Sequence, residues 1–132
     1  MTVEIPIALI GRDSVDVFLI EKSFQPFKNV KLFVFNESTV LFKFLLNSNY
    51  NKGYILIDTK VDLIYGEEIL RKLTKLNLNF KNISISFLYN SGLDIEELVN
   101  KVSYEYIYKN LNINYVEKPL TREKIEEYIL NN

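Results

Sequence analysis

Residues 54–58 read Tyr54-Ile55-Leu56-Ile57-Asp58. A strand with one wet face alternates apolar and polar residues. This one is apolar at every position until it ends on a carboxylate, so it reads as a strand buried on both faces with an acid at its carboxyl end. Working outward, runs of the same β-branched and aromatic character predict further strands over 5–10, 31–35, 83–87 and 114–116, alongside 54–57. Helical periodicities lie between them. The first follows Asp13-Ser14, with Val15, Phe18 and Leu19 on one face, and the second follows Glu37-Ser38, with Val40, Leu41, Phe44 and Leu45 inward. The third follows Gly66 through Ile69, Leu70, Leu73 and Leu76, leaving Glu67, Glu68, Arg71, Lys72 and Lys75 to water. The fourth opens at Asp94 with Glu97 at capping-box spacing and continues through Ile95, Leu98, Val99 and Val102. The last starts at Thr121, flanked by Leu120 and Ile125 at the positions of a hydrophobic staple, and runs on through Tyr128 and Ile129. Strand-then-helix units in strict alternation predict an α/β fold, a five-stranded parallel sheet wound with helices on both sides.

Composition narrows the chemistry. At 132 residues and 48% hydrophobic content the chain can fill one core and is too short for two ordinary domains, so a single domain over 1–132 is expected. Sixteen basic residues against 17 acidic ones leave a net charge of -1, which argues against direct nucleic-acid binding. With no cysteine and no histidine, thiol nucleophiles, disulfides, the usual zinc sites and histidine-based triads are excluded. No apolar run approaches the ~20 residues of a membrane-spanning helix, and Met1-Thr2-Val3-Glu4 carries no basic leader; a cytoplasmic address is the expectation.

In parallel sheets of this kind, ligands and chemistry gather at the carboxyl ends of the strands. Here those ends are Gly11-Arg12-Asp13, Asn36-Glu37, Asp58-Thr59-Lys60, Leu88-Tyr89-Asn90 and Glu117-Lys118-Pro119. Asp58 at one strand end, Gly66 before the next helix, Lys118-Pro119 after the last strand and Tyr115 three residues before the lysine together resemble the receiver domain of bacterial response regulators, over essentially the whole chain. The resemblance implies a flavodoxin-like, receiver-type fold and a role in a two-component phosphorelay. It makes Asp58 the phosphoacceptor, Lys118 the phosphate contact and Tyr115 the switch aromatic. A carboxylate is a competent nucleophile for an acyl phosphate, and an ammonium can offset the charge it acquires. The implied partners are a histidine kinase or phosphotransfer protein, an output protein on the face of the fourth helix, fifth strand and fifth helix, or a second copy of the chain. No enzyme activity is expected beyond self-phosphorylation and dephosphorylation at Asp58.

The sequence also departs from that pattern. The family holds magnesium with the phosphoacceptor, a backbone carbonyl at the position of Lys60 and two adjacent acids after the first strand. Gly11 and Arg12 stand at the acid positions, which weakens the expected hold on Mg2+. Asp13, one residue late, reads either as a weak metal ligand beside Asp58 or as a helix N-cap. Arg12 either pairs with Asp58 where the metal would be or points to solvent. The hydroxyl expected at the end of the fourth strand falls on Ser86, or its place is taken by Leu88 or Tyr89; Ser84 and Ser86 read equally as small residues under a helix. Asp62 replaces a common proline, and Tyr104, Tyr106, Ile107 and Tyr108 suggest an altered partner surface. Two alternatives stay open: a pseudo-receiver interaction module that works without phosphorylation, and a flavodoxin-like cofactor binder, for which Gly11-Arg12-Asp13-Ser14 makes a poor phosphate cradle.

Overall fold

The structure, a computed structural model, describes residues 4–46, 52–58, 82–90 and 111–131, together with Arg71, Glu96 and Val99. Its strands are β1 (Ile5–Ile10), β2 (Val30–Phe35), β3 (Lys52–Asp58), β4 (Asn82–Tyr89) and β5 (Leu111–Glu117). They form one parallel sheet in the order β2-β1-β3-β4-β5. All five predicted strands are present. Most extend beyond their apolar cores, because ladder hydrogen bonds continue after the hydrophobic run stops. The helices are α1 (Ser14–Phe24), α2 (Ser38–Leu46) and α3 (Arg122–Lys124), the last continuing as a π-helical turn over Ile125–Ile129. The helices predicted after Gly66 and Asp94 lie outside the described residues, apart from Arg71, Glu96 and Val99, which are helical.

Strand alternation sends successive side chains to opposite faces. One face carries Ile7, Leu9, Tyr54, Leu56, Leu88 and Val116, packed under Ile20 and Phe24 of α1 and under Leu120, Ile125 and Ile129. On the other, Phe33 and Phe35 stand in register with Ala8 and Ile10, and both rings meet Phe44 of α2, at centroid distances of 4.7 and 5.3 Å. Helices therefore cover both faces, and the sheet is doubly wound as expected.

The face of α1 needs a correction. Val15, Phe18 and Leu19 are more than half exposed, whereas Ile20 and Phe24 are buried and Val17 packs against them. Apolar residues occupy positions 15 and 17–20, so they surround most of the helix and periodicity alone cannot select a face. The sheet selects Val17, Ile20 and Phe24, and Lys22 covers the outward Phe18, its ammonium 5.3 Å from the ring centre. In α2, Leu41 is buried but Val40 is exposed, and in the final turn Ile129 is buried while Tyr128 faces out. The staple holds: Leu120 and Ile125 are buried in one cluster on either side of the N-cap Thr121, whose hydroxyl accepts from the Lys124 amide at 3.2 Å.

Chain order places the site. From β1 the chain moves outward to β2 and then returns to the other side of β1 to lay down β3. A crevice opens at such a reversal, between the carboxyl ends of β1 and β3, where Gly11 and Asp58 stand.

Candidate functional site

Asp58 closes β3 with a side chain fully shielded from solvent. A buried carboxylate is costly unless it is paired, and Asp58 pairs with Lys118, 60 residues away in sequence. The Lys118 ammonium donates to Asp58 Oδ1 at 2.8 Å. This is a short, charge-assisted contact. Removing both ions from water costs about as much as their attraction returns, so stability alone does not explain why such a pair is kept.

The turn after β5 aims Lys118. Its amide donates to the carbonyl of Tyr89 at the end of β4, at 2.7 Å. The Lys118-Pro119 peptide is cis. From α3, the Lys124 ammonium donates to the carbonyls of Glu117 at 2.9 Å and Pro119 at 3.2 Å, gripping the backbone on either side of Lys118. A second carboxylate also reaches the ammonium: Asp16 Oδ2, on the first turn of α1, lies 3.9 Å from Lys118 Nζ, with 17% of its side chain exposed.

The β1 side is built differently. A Cβ placed on Gly11 would lie 3.7 Å from Asp58 Cβ and 4.0 Å from Asp58 Oδ2, so position 11 abuts the carboxylate yet brings no functional group to it. Arg12 is exposed, and the Lys118 ammonium stands against Asp58. Asp13 is the N-cap of α1, its Oδ1 accepting from the amides of Val15 at 2.9 Å and Asp16 at 3.0 Å. That carboxylate sits where an anionic cofactor group would approach the helix, which works against the phosphate-cradle reading.

No family model matches the chain, and no curated protein matches it. Among solved structures, it superposes on "Bacteriophytochrome response regulator RtBRR" with a TM-score of 0.67 at 20% identity, covering 95% of this chain and 75% of that one. A second, "Structure of the bacteriophytochrome response regulator AtBRR", gives 0.64 at 22%, covering 94% of this chain and 89% of that one. The chain has the receiver fold. At these identities the likeness speaks for architecture, and the site must be judged on its own residues.

On the receiver fold, the residues present do not fit the implied magnesium site. Position 11 has no side chain, Arg12 brings a positive charge, Asp13 caps a helix, and an ammonium stands against Asp58. Among the described residues no group of three His, Cys, Asp or Glu side chains could hold a metal. Lys60 lies outside the described residues, as do Gly66, Asp62 and the aromatic stretch from Tyr104 to Tyr108.

The β3–β4 register sets Asp58 opposite Leu88 and Ser86 opposite Leu56. Leu88, fully buried, occupies the place beside Asp58, and Ser86 lies two residues back, roughly 7 Å along the strand. The structure therefore does not bring Ser86 to the carboxylate. Ser84 and Ser86 are both buried. Tyr115, in register with Phe87, stacks on its ring at 5.6 Å and 17°; since Phe87 and Leu88 alternate, Tyr115 lies on the opposite face of the sheet from Asp58. Burial raises its hydroxyl pKa above the ordinary 10.0.

Two residues of the site escaped the sequence reading. Asp16 lies one helical turn from the Asp13 cap. Lys124 is a base in the first turn of a helix, where the macrodipole disfavours a cation, and that misplacement signals that its ammonium is used elsewhere.

Proposed function

We propose that this chain is a cytoplasmic receiver-type signalling domain in which Asp58 accepts a phosphoryl group from a histidine kinase or phosphotransfer protein. The supporting observation is the buried Asp58 carboxylate, in the crevice of a receiver-type sheet, 2.8 Å from the Lys118 ammonium. In the transfer step a carboxylate oxygen of Asp58 attacks the donor's phosphorus. A new O–P bond forms, the bond from phosphorus to the donor breaks, and the donor keeps that electron pair. Lys118 offsets the charge of about -1.5 to -2 that a phosphoryl group carries. The new charge within a two-state domain would be read by an output protein or a second copy at the face that includes β5 and α3, with Tyr115 as the switching ring.

The test is intact mass after incubation with a small acyl-phosphate donor, with and without magnesium. One phosphoryl group is expected on the wild-type chain and none on Asp58→Asn. If the folded wild type gains nothing under either condition, the second reading takes over: a receiver-like interaction module that does not depend on phosphorylation. Glycine and arginine at the acid-pair positions favour that reading.

A further inference from the structure

We propose that Asp16 is a second docking point for the Lys118 ammonium, so that Lys118 can release Asp58 without leaving the site. The inference deepens the phosphoacceptor reading and rests on it for its functional meaning, although its geometry is independent of it. The ammonium lies between two carboxylates on different elements, 2.8 Å from Asp58 Oδ1 on β3 and 3.9 Å from Asp16 Oδ2 on α1. Lys118 is largely buried, with 10% of its side chain exposed, so an ammonium that left both acids for solvent would have to leave the crevice as well. A shift of about 1 Å toward Asp16 would exchange one short, charge-assisted contact for another.

The packing leaves room for that shift. Asp16 and Lys118 share the wall of a cavity of about 260 Å³, whose lining also includes Ser23, Asn90, Leu19 and Leu120. The turn carrying Lys118 is fixed at the backbone by Tyr89 and Lys124, which leaves the side chain as the mobile part. A cation held against a carboxylate oxygen lowers its nucleophilicity, so attack is favoured when the ammonium draws back. The same cation must stay close enough to meet the phosphoryl charge once it arrives. A lysine with two carboxylates to choose between satisfies both needs, and it does so with a cation carried by the protein. Asp16 is thus a positioning residue that acts through Lys118.

The hydrogen-exchange rate of the Lys118 ammonium, followed in ¹H–¹⁵N spectra, reads this directly and does not depend on phosphorylation. Removing the charge of the nearer acid by Asp58→Asn should leave Lys118 protected, within about fivefold of the wild type, because Asp16 takes it over. Adding Asp16→Asn should then speed exchange by at least about tenfold, the non-additivity expected when two groups share one partner. Asp16→Glu in the Asp58→Asn background should restore protection. Backbone amide signals of β1 and β3 report whether each variant is folded, and Asp16→Ser replaces Asp16→Asn should the double variant unfold. The proposal is overturned if Asp58→Asn alone exposes Lys118 as fully as the double variant. Protection that depends on Asp16, in a wild-type chain that gains no phosphoryl group, would uphold the second docking point and remove only its part in phosphoryl transfer.

Discussion

The carboxyl ends of β1 and β5 both reach the Asp58 pocket, and they bring opposite chemistry to it. From β5 comes a lysine on a turn anchored by backbone carbonyls, its ammonium 2.8 Å from the carboxylate. From β1 come a glycine with nothing to contribute, an exposed arginine and an aspartate occupied in capping a helix. At the carboxyl end of β5 a cation stands against the carboxylate, whereas at that of β1 neither position 11 nor position 12 offers an acid. In this molecule the positive charge beside Asp58 is covalently attached.

The largest effect is expected on the β5 side. Lys118→Met would leave the Asp58 charge buried without the ammonium, and a loss of about 3 kcal/mol in urea unfolding is expected, much of it recovered when Asp58→Asn is added. An unchanged midpoint would mean that other groups, and not β5, hold Asp58. On the β1 side, Gly11→Ala sharpens the contrast. Its new methyl group would meet Val17 Cγ2 at 3.1 Å, so the neighbour must give way, and a loss of about 1 kcal/mol is expected. No loss would show that β1 is not packed tightly against the pocket. The smallest effect is expected on the far face of the sheet, at Tyr115. The folded protein holds the Tyr115 proton more tightly than the unfolded chain does. This contribution to stability is therefore intact below the ordinary tyrosine range and is lost as pH rises through the folded-state value. In an ultraviolet phenolate titration, the component missing from Tyr115→Phe should be one that ionises later than free tyrosine; an early component would contradict its burial.

The strands were legible because a sheet covered on both faces demands runs apolar at every position, and 5–10 and 54–57 supply them unmistakably. Asp58 and Lys118 were legible as strand ends. The inward face of α1 was not, since Val15, Val17, Phe18, Leu19 and Ile20 offer the sheet more apolar surface than it can cover. The place beside Asp58 was not legible either. Ile83-Ser84-Ile85-Ser86-Phe87 alternates apolar and polar residues before Leu88 breaks the pattern, and which member meets Asp58 depends on a strand register that no single strand encodes. Asp16 and Lys124 take their roles from partners on other elements, so their neighbours in sequence are silent about them.

The grip of Lys124 on the backbone around Lys118 has a mechanical side. Bonded to the carbonyls just before and just after the Lys118 position, the first turn of α3 and the root of the site's ammonium form a single handle. That handle joins the outer helix to the carboxylate pocket by a path one side chain long.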